Sequence, residues 1–480
     1  MYMKRHQPVR GYLMLLAIVF GAVFITVLGA LSGYVLTENR AQSTATAGSR
    51  GFAIAEAGLE YYRWFLAHYP NDLTNGTGSA GPYTIPYNDP EGGQTGTISL
   101  DISGNTSCGQ TTSIDIRSTG IPAEQESATK TIVARYARPT VARFSYVLND
   151  SVWAGDDRII NGPYHSNGGI RMDGTANAPV TSSLSTWLCT SSFGCSPNQT
   201  KNGVWGSGGI QSLWEYPVPQ VDFAGIAADF SSLKTTANSS GLYLARYSSG
   251  TNKNQANYWR GYHLIFNGNG TVTIRRVTGT TSLSFVGVNA QDTVDRTLIS
   301  SESFYSTYTL PANCGLIFVE DNVWVEGTID RKVTLIAANI TTTGIAPSAV
   351  LKNDITYAAT DGSDGLTLIA ENNVLIAPNA PHNMTLNGIF VAQGGAFGRN
   401  LYSCPGSYEP KGTLTILGTT VSNLRTGTQW QNGCYSFWSG YSDGGYQSRI
   451  DAFDRNLSTD PPPFTPTTST DYEFVDWREE

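Results

Sequence analysis

The chain opens on an unbroken apolar run. From Gly11 to Leu36 there is no charged residue, and most positions are Leu, Val, Ile, Ala or Phe. That run exceeds the roughly 20 residues that cross a bilayer as a helix. Lys4, Arg5 and Arg10 precede it, so the positive-inside rule places the N-terminus in the cytoplasm and the remainder outside. A cleavable secretory signal has an apolar region of only about 7–15 residues, so a single-pass membrane anchor is the expectation. Ala41 to Tyr69 continues in Ala-rich, helix-compatible sequence that Pro70 stops. Within it Phe52, Ala55, Leu59 and Tyr62 recur at helical spacing and predict one packing stripe. A helix over residues 12–70 is roughly 85 Å long at 1.5 Å per residue, weakened at Gly48 and Gly51. Gly29 and Gly33 form a small-xxx-small pair of the kind that lets helices approach closely, although ordinary membrane-helix composition accounts for it equally.

Beyond the helix the period changes from 3.6 to 2. Residues 71–95, rich in Gly, Asn, Pro and Thr, read as a loop. Thr97–Ile102, Ser113–Gly120 and Thr131–Tyr136 alternate apolar and polar positions as half-buried strands do. They predict a small antiparallel β subdomain over 71–140. From 141 to 480 short β runs are separated by Gly, Asn and Asp, with no long helix between them. Val333-Thr334-Leu335-Ile336-Ala337-Ala338-Asn339 recurs almost verbatim as Leu366-Thr367-Leu368-Ile369-Ala370-Glu371-Asn372. Repetition of short strands favours a β-solenoid, in which each coil buries its face only against its neighbours; a β-sandwich is the alternative.

Composition narrows the function. Only 14% of residues are charged and the formal net charge is −8, which excludes a nucleic-acid binder, whose surface must be basic. Six cysteines in an exported body point to disulfides. Cys189 and Cys195 bracket a short loop and Cys404 and Cys434 a longer one, while Cys108 and Cys314 pair with each other or stay free. No zinc-ligand spacing occurs among the five histidines, and no metal or cofactor is expected. Asp361-Gly362-Ser363-Asp364-Gly365 offers oxygen ligands but reads as an Asx-rich turn, not a calcium loop. For catalysis, Asp156-Asp157 supplies acids and His165 a proton-transfer partner. Neighbours on a strand point to opposite faces, however, and His165 sits in a Gly/Asn-rich turn sequence, so no catalytic residue is assigned. The aromatic residues Tyr402, Tyr408, Trp430, Tyr435, Phe437, Trp438, Tyr441 and Tyr446 gather around the Cys404–Cys434 excursion. They form a candidate surface for stacking on sugars or burying a partner, or a loop that covers one face of the body.

A basic leader (1–11) ending in Gly11, an aromatic Tyr12, an apolar helix and the phrase Ala55-Glu56-Ala57-Gly58-Leu59-Glu60 resemble the N-terminus of PilX-type minor pilins. The resemblance implies processing between Gly11 and Tyr12 by a prepilin peptidase, and packing of the helix beside those of other pilins in a type IV pilus. One position departs from the pattern: Leu16 stands where such proteins usually carry a glutamate, five residues after the cut. Gly162–Gly169, Gly315–Glu320, Gly388–Gln393 and the ending Asp460-Pro461-Pro462-Pro463-Phe464 are similar to segments of large pilin-like proteins. These imply a right-handed parallel β-helix ectodomain over 141–480. The resulting expectation is a structural or adhesive surface component, touching glycans, host surfaces or partner proteins. A membrane-anchored polysaccharide-active enzyme and a stationary surface adhesin are the alternatives.

Overall fold

The computed structural model describes residues 12–70, 72–224, 229–404, 406–436 and 440–480. The leader and Gly11 lie outside them. The protein is mainly β with one long N-terminal helix, Tyr12–His68. Two compact units are present. The first comprises the chain to Gly104, Ile114–Arg135 and Asp476–Glu480; the second comprises Asn105–Ser113 and Tyr136–Val475.

In the first unit the helix has two halves with different surroundings. From Tyr12 to Thr46 it is exposed everywhere except Gly21, which is half-buried, and it is long and apolar enough to cross a membrane. Gly29 and Gly33 have no atom within 4 Å of the position a Cβ would take. The second half buries Gly51, Ile54, Ala55, Gly58, Leu59, Tyr62, Phe65 and Leu66. That face follows glycines as well as apolar side chains. A Cβ on Gly120 would overlap Gly51 O and sit 2.6 Å from Ala55 N, and one on Gly58 would overlap Ser118 Oγ and sit 2.7 Å from Ile98 Cγ2. Gly51, expected to weaken the helix, is thus where helix and sheet backbones meet. Phe52 flanks this face instead of lying on it, half-buried with its ring edge-on to Trp477 at 5.9 Å.

The sheet under the helix has the strand order Tyr83–Asn88, Gln94–Ser107, Gln110–Pro122, Lys130–Ala137, Glu473–Glu479. The central two strands turn at Cys108 and Gly109, whose φ values of 52° and 77° suit a two-residue hairpin loop. Two elements differ from the sequence expectation. Tyr83–Asn88 is an edge strand, not loop; Pro86 lacks a ladder donor but is tolerated on an edge. The fifth strand comes from the end of the chain, which the sequence pattern left with the body.

Among the described residues of the second unit, a hydrogen-bonded network of 21 strands is built largely from parallel pairs. The repeated segments lie side by side, with Val333 opposite Leu366, Leu335 opposite Leu368 and Ala337 opposite Ala370. Ile389 to Ala392 follows on the next strand, then Thr419 to Ser422. The following neighbour is Tyr146–Leu148, not a later segment, and after it come Tyr164–Ser166 and Val180–Ser182. The body's chain therefore begins midway along this ladder, extends it in one direction to Trp214–Glu215, crosses over, and restarts at Leu242–Leu244 from the other end.

Strands in this ladder are apolar on both faces, as expected where both are covered. Val333, Leu335, Leu366 and Leu368 belong to one buried cluster. Leu316, Phe318, Ile336, Ile369 and Ile389 point the other way and pack with Leu233, Ala237 and Leu457. Leu233 and Ala237 come from a helix, Phe230–Ser240, that the pattern did not reveal because eight of its eleven residues are Ser, Thr, Asn or Lys. Asp229 caps it, accepting from Ser231 N and Ser232 N at 3.1 and 3.2 Å. The Pro-rich ending lies along the same face: Thr367 and Thr465 hydroxyls are 2.6 Å apart, and Thr334 Oγ1 donates to Pro463 O.

Candidate functional site

All six cysteines are paired, as Cys108–Cys314, Cys189–Cys195 and Cys404–Cys434. Among the described residues no group of three His, Cys, Asp or Glu is arranged to hold a metal ion.

The aromatic residues near Cys404–Cys434 do not form one exposed surface. Tyr402 is turned inward, 3% exposed, and donates to Asp295 Oδ2 at 2.7 Å. Burial and the Asp295 carboxylate push its phenol well above the ordinary tyrosine range. Beside it lies Arg399, fully buried, which donates to Glu409 Oε1 and, at 2.8 Å, to Tyr408 O. Tyr408 meets Tyr402 edge-on at 6.0 Å, and Tyr446 is fully buried. Tyr435 is 55% exposed. Phe437, Trp438 and the Tyr441 side chain lie outside the described residues. The loop thus encloses a buried Arg–Glu pair, with Trp430 Nε1 donating to Arg399 O at 2.9 Å.

His165 is not in a turn. It lies on the strand Tyr164–Ser166, 2% exposed, with Nδ1 2.9 Å from Thr181 Oγ1 and Nε2 3.0 Å from Asn167 Oδ1. Burial lowers its pKa, and both ring nitrogens are occupied, so it is a structural core histidine. Asp156 and Asp157 show the reverse departure. They form the turn between strands Val152–Ala154 and Arg158–Asn161, so strand alternation does not separate them.

That turn borders a cleft of about 690 Å³. Asp156 is exposed, whereas the Asp157 side chain is only 6% exposed. Asp157 Oδ2 has no hydrogen-bond donor and lies 3.8 Å from Arg158 Nε. Arg158 is committed elsewhere, donating to Asp451 Oδ2 at 2.9 Å, and Arg449 donates to Asp451 Oδ1 at 2.8 Å. Burial raises the Asp157 pKa against the opposing Arg158 and Arg449 charges. Asp443 also lines the cleft and accepts from Asn432 N at 2.7 Å and from Gln429 Nε2 at 3.2 Å. Trp153 and Trp430 contribute indole surface. The Trp153 N–H donates to Asp173 Oδ2 at 2.9 Å, and Arg171 covers that ring 4.0 Å from its centroid. Arg425 completes the rim, its guanidinium 4.4 Å from the Phe193 ring centroid and donating to Ser192 O at 2.9 Å. Asp157 and Trp430 appeared among the sequence candidates. Trp153, Gln429 and Asp443 did not, because their segments converge only in three dimensions.

Fold and site together define a mainly β, disulfide-bonded protein with an N-terminal helix long and apolar enough to cross a membrane. No family model and no curated protein matches its sequence. Among solved structures, the crystal structure of the competence-associated pilin ComZ from Thermus thermophilus aligns at 13% identity, over 91% of this chain and 98% of that one, with a TM-score of 0.31. That score is too low for the likeness to bear on fold or function.

Proposed function

We propose that the chain is a minor-pilin-type surface component with a structural or adhesive role in a type IV pilus or a related assembly. In this reading a prepilin peptidase cuts between Gly11 and Tyr12, and the helix leaves the bilayer to pack beside those of other pilins. The body is then a right-handed parallel β-helix that meets glycans, surfaces or partner proteins. One observation carries the proposal: a single 57-residue helix whose apolar first half is exposed and whose second half is fixed on a small sheet. Such a helix is suited to exchanging lipid for like helices while holding its folded part outside. The parallel ladder with side-by-side sequence repeats supports the β-helix reading. A binding role is preferred to a catalytic one because the histidine best suited to proton transfer has both nitrogens engaged.

Mass spectrometry of filaments sheared from the cell surface tests the proposal. Peptides of this chain beginning at Tyr12 are expected. Absence from filaments together with an uncut Gly11–Tyr12 bond would instead make it a stationary surface adhesin.

A further inference from the structure

The cleft at the Asp156–Asp157 turn is lined by residues of the second unit alone. Its most unusual group is Asp157, whose side chain is more than nine-tenths buried and whose Oδ2 lacks a donor. A buried carboxylate oxygen without a donor is costly, and native structures supply partners to most such atoms. The nearest cation is already spent on Asp451. Asp443, also on the lining, accepts two hydrogen bonds and retains acceptor capacity, since an ionised carboxylate offers about four lone-pair sites. The cleft therefore sets carboxylate acceptors among hydroxyl, amide and guanidinium donors such as Ser192, Gln429 and Arg425, a mixture that suits a ligand rich in O–H groups, which both donate and accept.

Charge and surface narrow the class further. The lining holds four carboxylates, Asp150, Asp156, Asp157 and Asp443, against two guanidiniums, Arg158 and Arg425. An excess of negative charge disfavours phosphate, sulfate or uronate groups. Trp153 and Trp430 have their N–H groups satisfied by Asp173 and Arg399; Arg171 covers one face of Trp153, so the apolar indole surface of the lining comes from Trp430 and the other Trp153 face. Aromatic rings bury large apolar area at fixed geometry, which fits the C–H faces of sugar rings. The volume of about 690 Å³ lies inside the range that encloses drug-sized ligands.

We propose that this cleft binds a short stretch of neutral oligosaccharide, with Asp157 and Asp443 accepting from its hydroxyls and Trp153 and Trp430 stacking on its rings. The inference rests on the adhesive reading for its biological meaning, yet its test does not depend on filament membership. The full chain, solubilised in a detergent without a sugar headgroup, is titrated by calorimetry with cellohexaose, chitohexaose and maltohexaose, and with a heparin-derived hexasaccharide. At least one neutral hexaose is expected to bind, and the heparin fragment is not. Trp430→Ala and Asp157→Asn are each expected to weaken binding by about tenfold or more. Asp443→Asn, at a second carboxylate of the lining, serves as the second variant if Asp157→Asn melts far below the parent. Failure of all three neutral sugars to bind, preference for the anionic fragment, or neutral binding that survives Trp430→Ala and Asp443→Asn in folded protein would overturn the proposal. None of these results would alter the filament experiment, and absence from filaments would leave this one standing.

Discussion

Substitution of Gly120 by alanine should detach the helix from the small sheet. The added methyl would overlap Gly51 O and lie 2.6 Å from Ala55 N. Both are backbone atoms of the helix, so no rotamer change relieves the contact and the helix must move outward. Overpacking in a close-packed interface costs about 1–3 kcal/mol, and a backbone obstruction belongs near the upper figure. Two further glycines calibrate the effect. A Cβ on Gly58 meets Ser118 Oγ, with Ile98 Cγ2 at 2.7 Å and Leu100 Cδ2 at 3.3 Å, all side-chain ends that can shift. Alanine there also gains about 1 kcal/mol of helix propensity, so Gly58→Ala should destabilise by about 1 kcal/mol or less. Nothing comes nearer to Gly48 than Lys130 Cε at 4.0 Å. Gly48→Ala should therefore stabilise by about 0.5–1 kcal/mol. Amide hydrogen exchange by mass spectrometry on peptides spanning residues 47–66 and 114–122 measures this locally. At about 1.4 kcal/mol per tenfold, Gly120→Ala should accelerate exchange roughly 100-fold and Gly48→Ala should slow it. Unchanged protection in Gly120→Ala, or equal loss in Gly48→Ala, would refute the claim that backbone proximity fixes this helix.

Three further outcomes follow from the body. His263 is 1% exposed between Glu302, 2.8 Å from Nδ1, and Glu326, 2.9 Å from Nε2. Hydrogen bonding from His263, aided by Lys352, lowers the Glu326 pKa from 4.5 to about 2. A depressed carboxylate stabilises fully above its unfolded pKa and loses that contribution as pH falls towards the folded value. The melting difference between wild type and Glu326→Gln should thus be about 3 kcal/mol at pH 7 and shrink between pH 4.5 and 2. Leu368→Ala, at a fully buried position beside Leu335, should cost about 2–5 kcal/mol in chemical denaturation. The Cys108–Cys314 bridge spans 206 residues and Cys189–Cys195 only 6. On loop entropy alone their double-serine variants should lose about 5 and about 2 kcal/mol respectively, and thermal melts that reverse this order would contradict the estimate.

Local period and repetition were readable from the chain because they arise from local burial. The 12–70 helix, the alternating strands near 98–136 and the pairing of 333–339 with 366–372 all have this origin. Three features were hidden for physical reasons. The helix Phe230–Ser240 needs only Leu233 and Ala237 on its buried side, too few to make a stripe. The position of Tyr146 between Thr420 and Tyr164 is not encoded in any run, because equivalent short apolar strands are chemically interchangeable until stacked. The Asp157 cleft draws residues from near 150, 290 and 430, and its main signal, a carboxylate without a donor, is a property of packing. Tyr402 misled in the opposite sense, since an aromatic residue beside a disulfide loop reads the same whether it faces solvent or Asp295.

The point of entry at Tyr146 also bears on how the body is assembled. Residues 146–182 are made early, yet one side of this ladder remains unpaired until Thr420–Ser422 arrive, 274 residues later in the chain. Contacts of such separation slow folding because loop closure precedes any compensating gain. In the interval the early strands present a bare β edge, the geometry that recruits another chain. A polypeptide built in this order needs an escort for its first-made half, or completion fast enough that its final strands close the gap before a neighbour does.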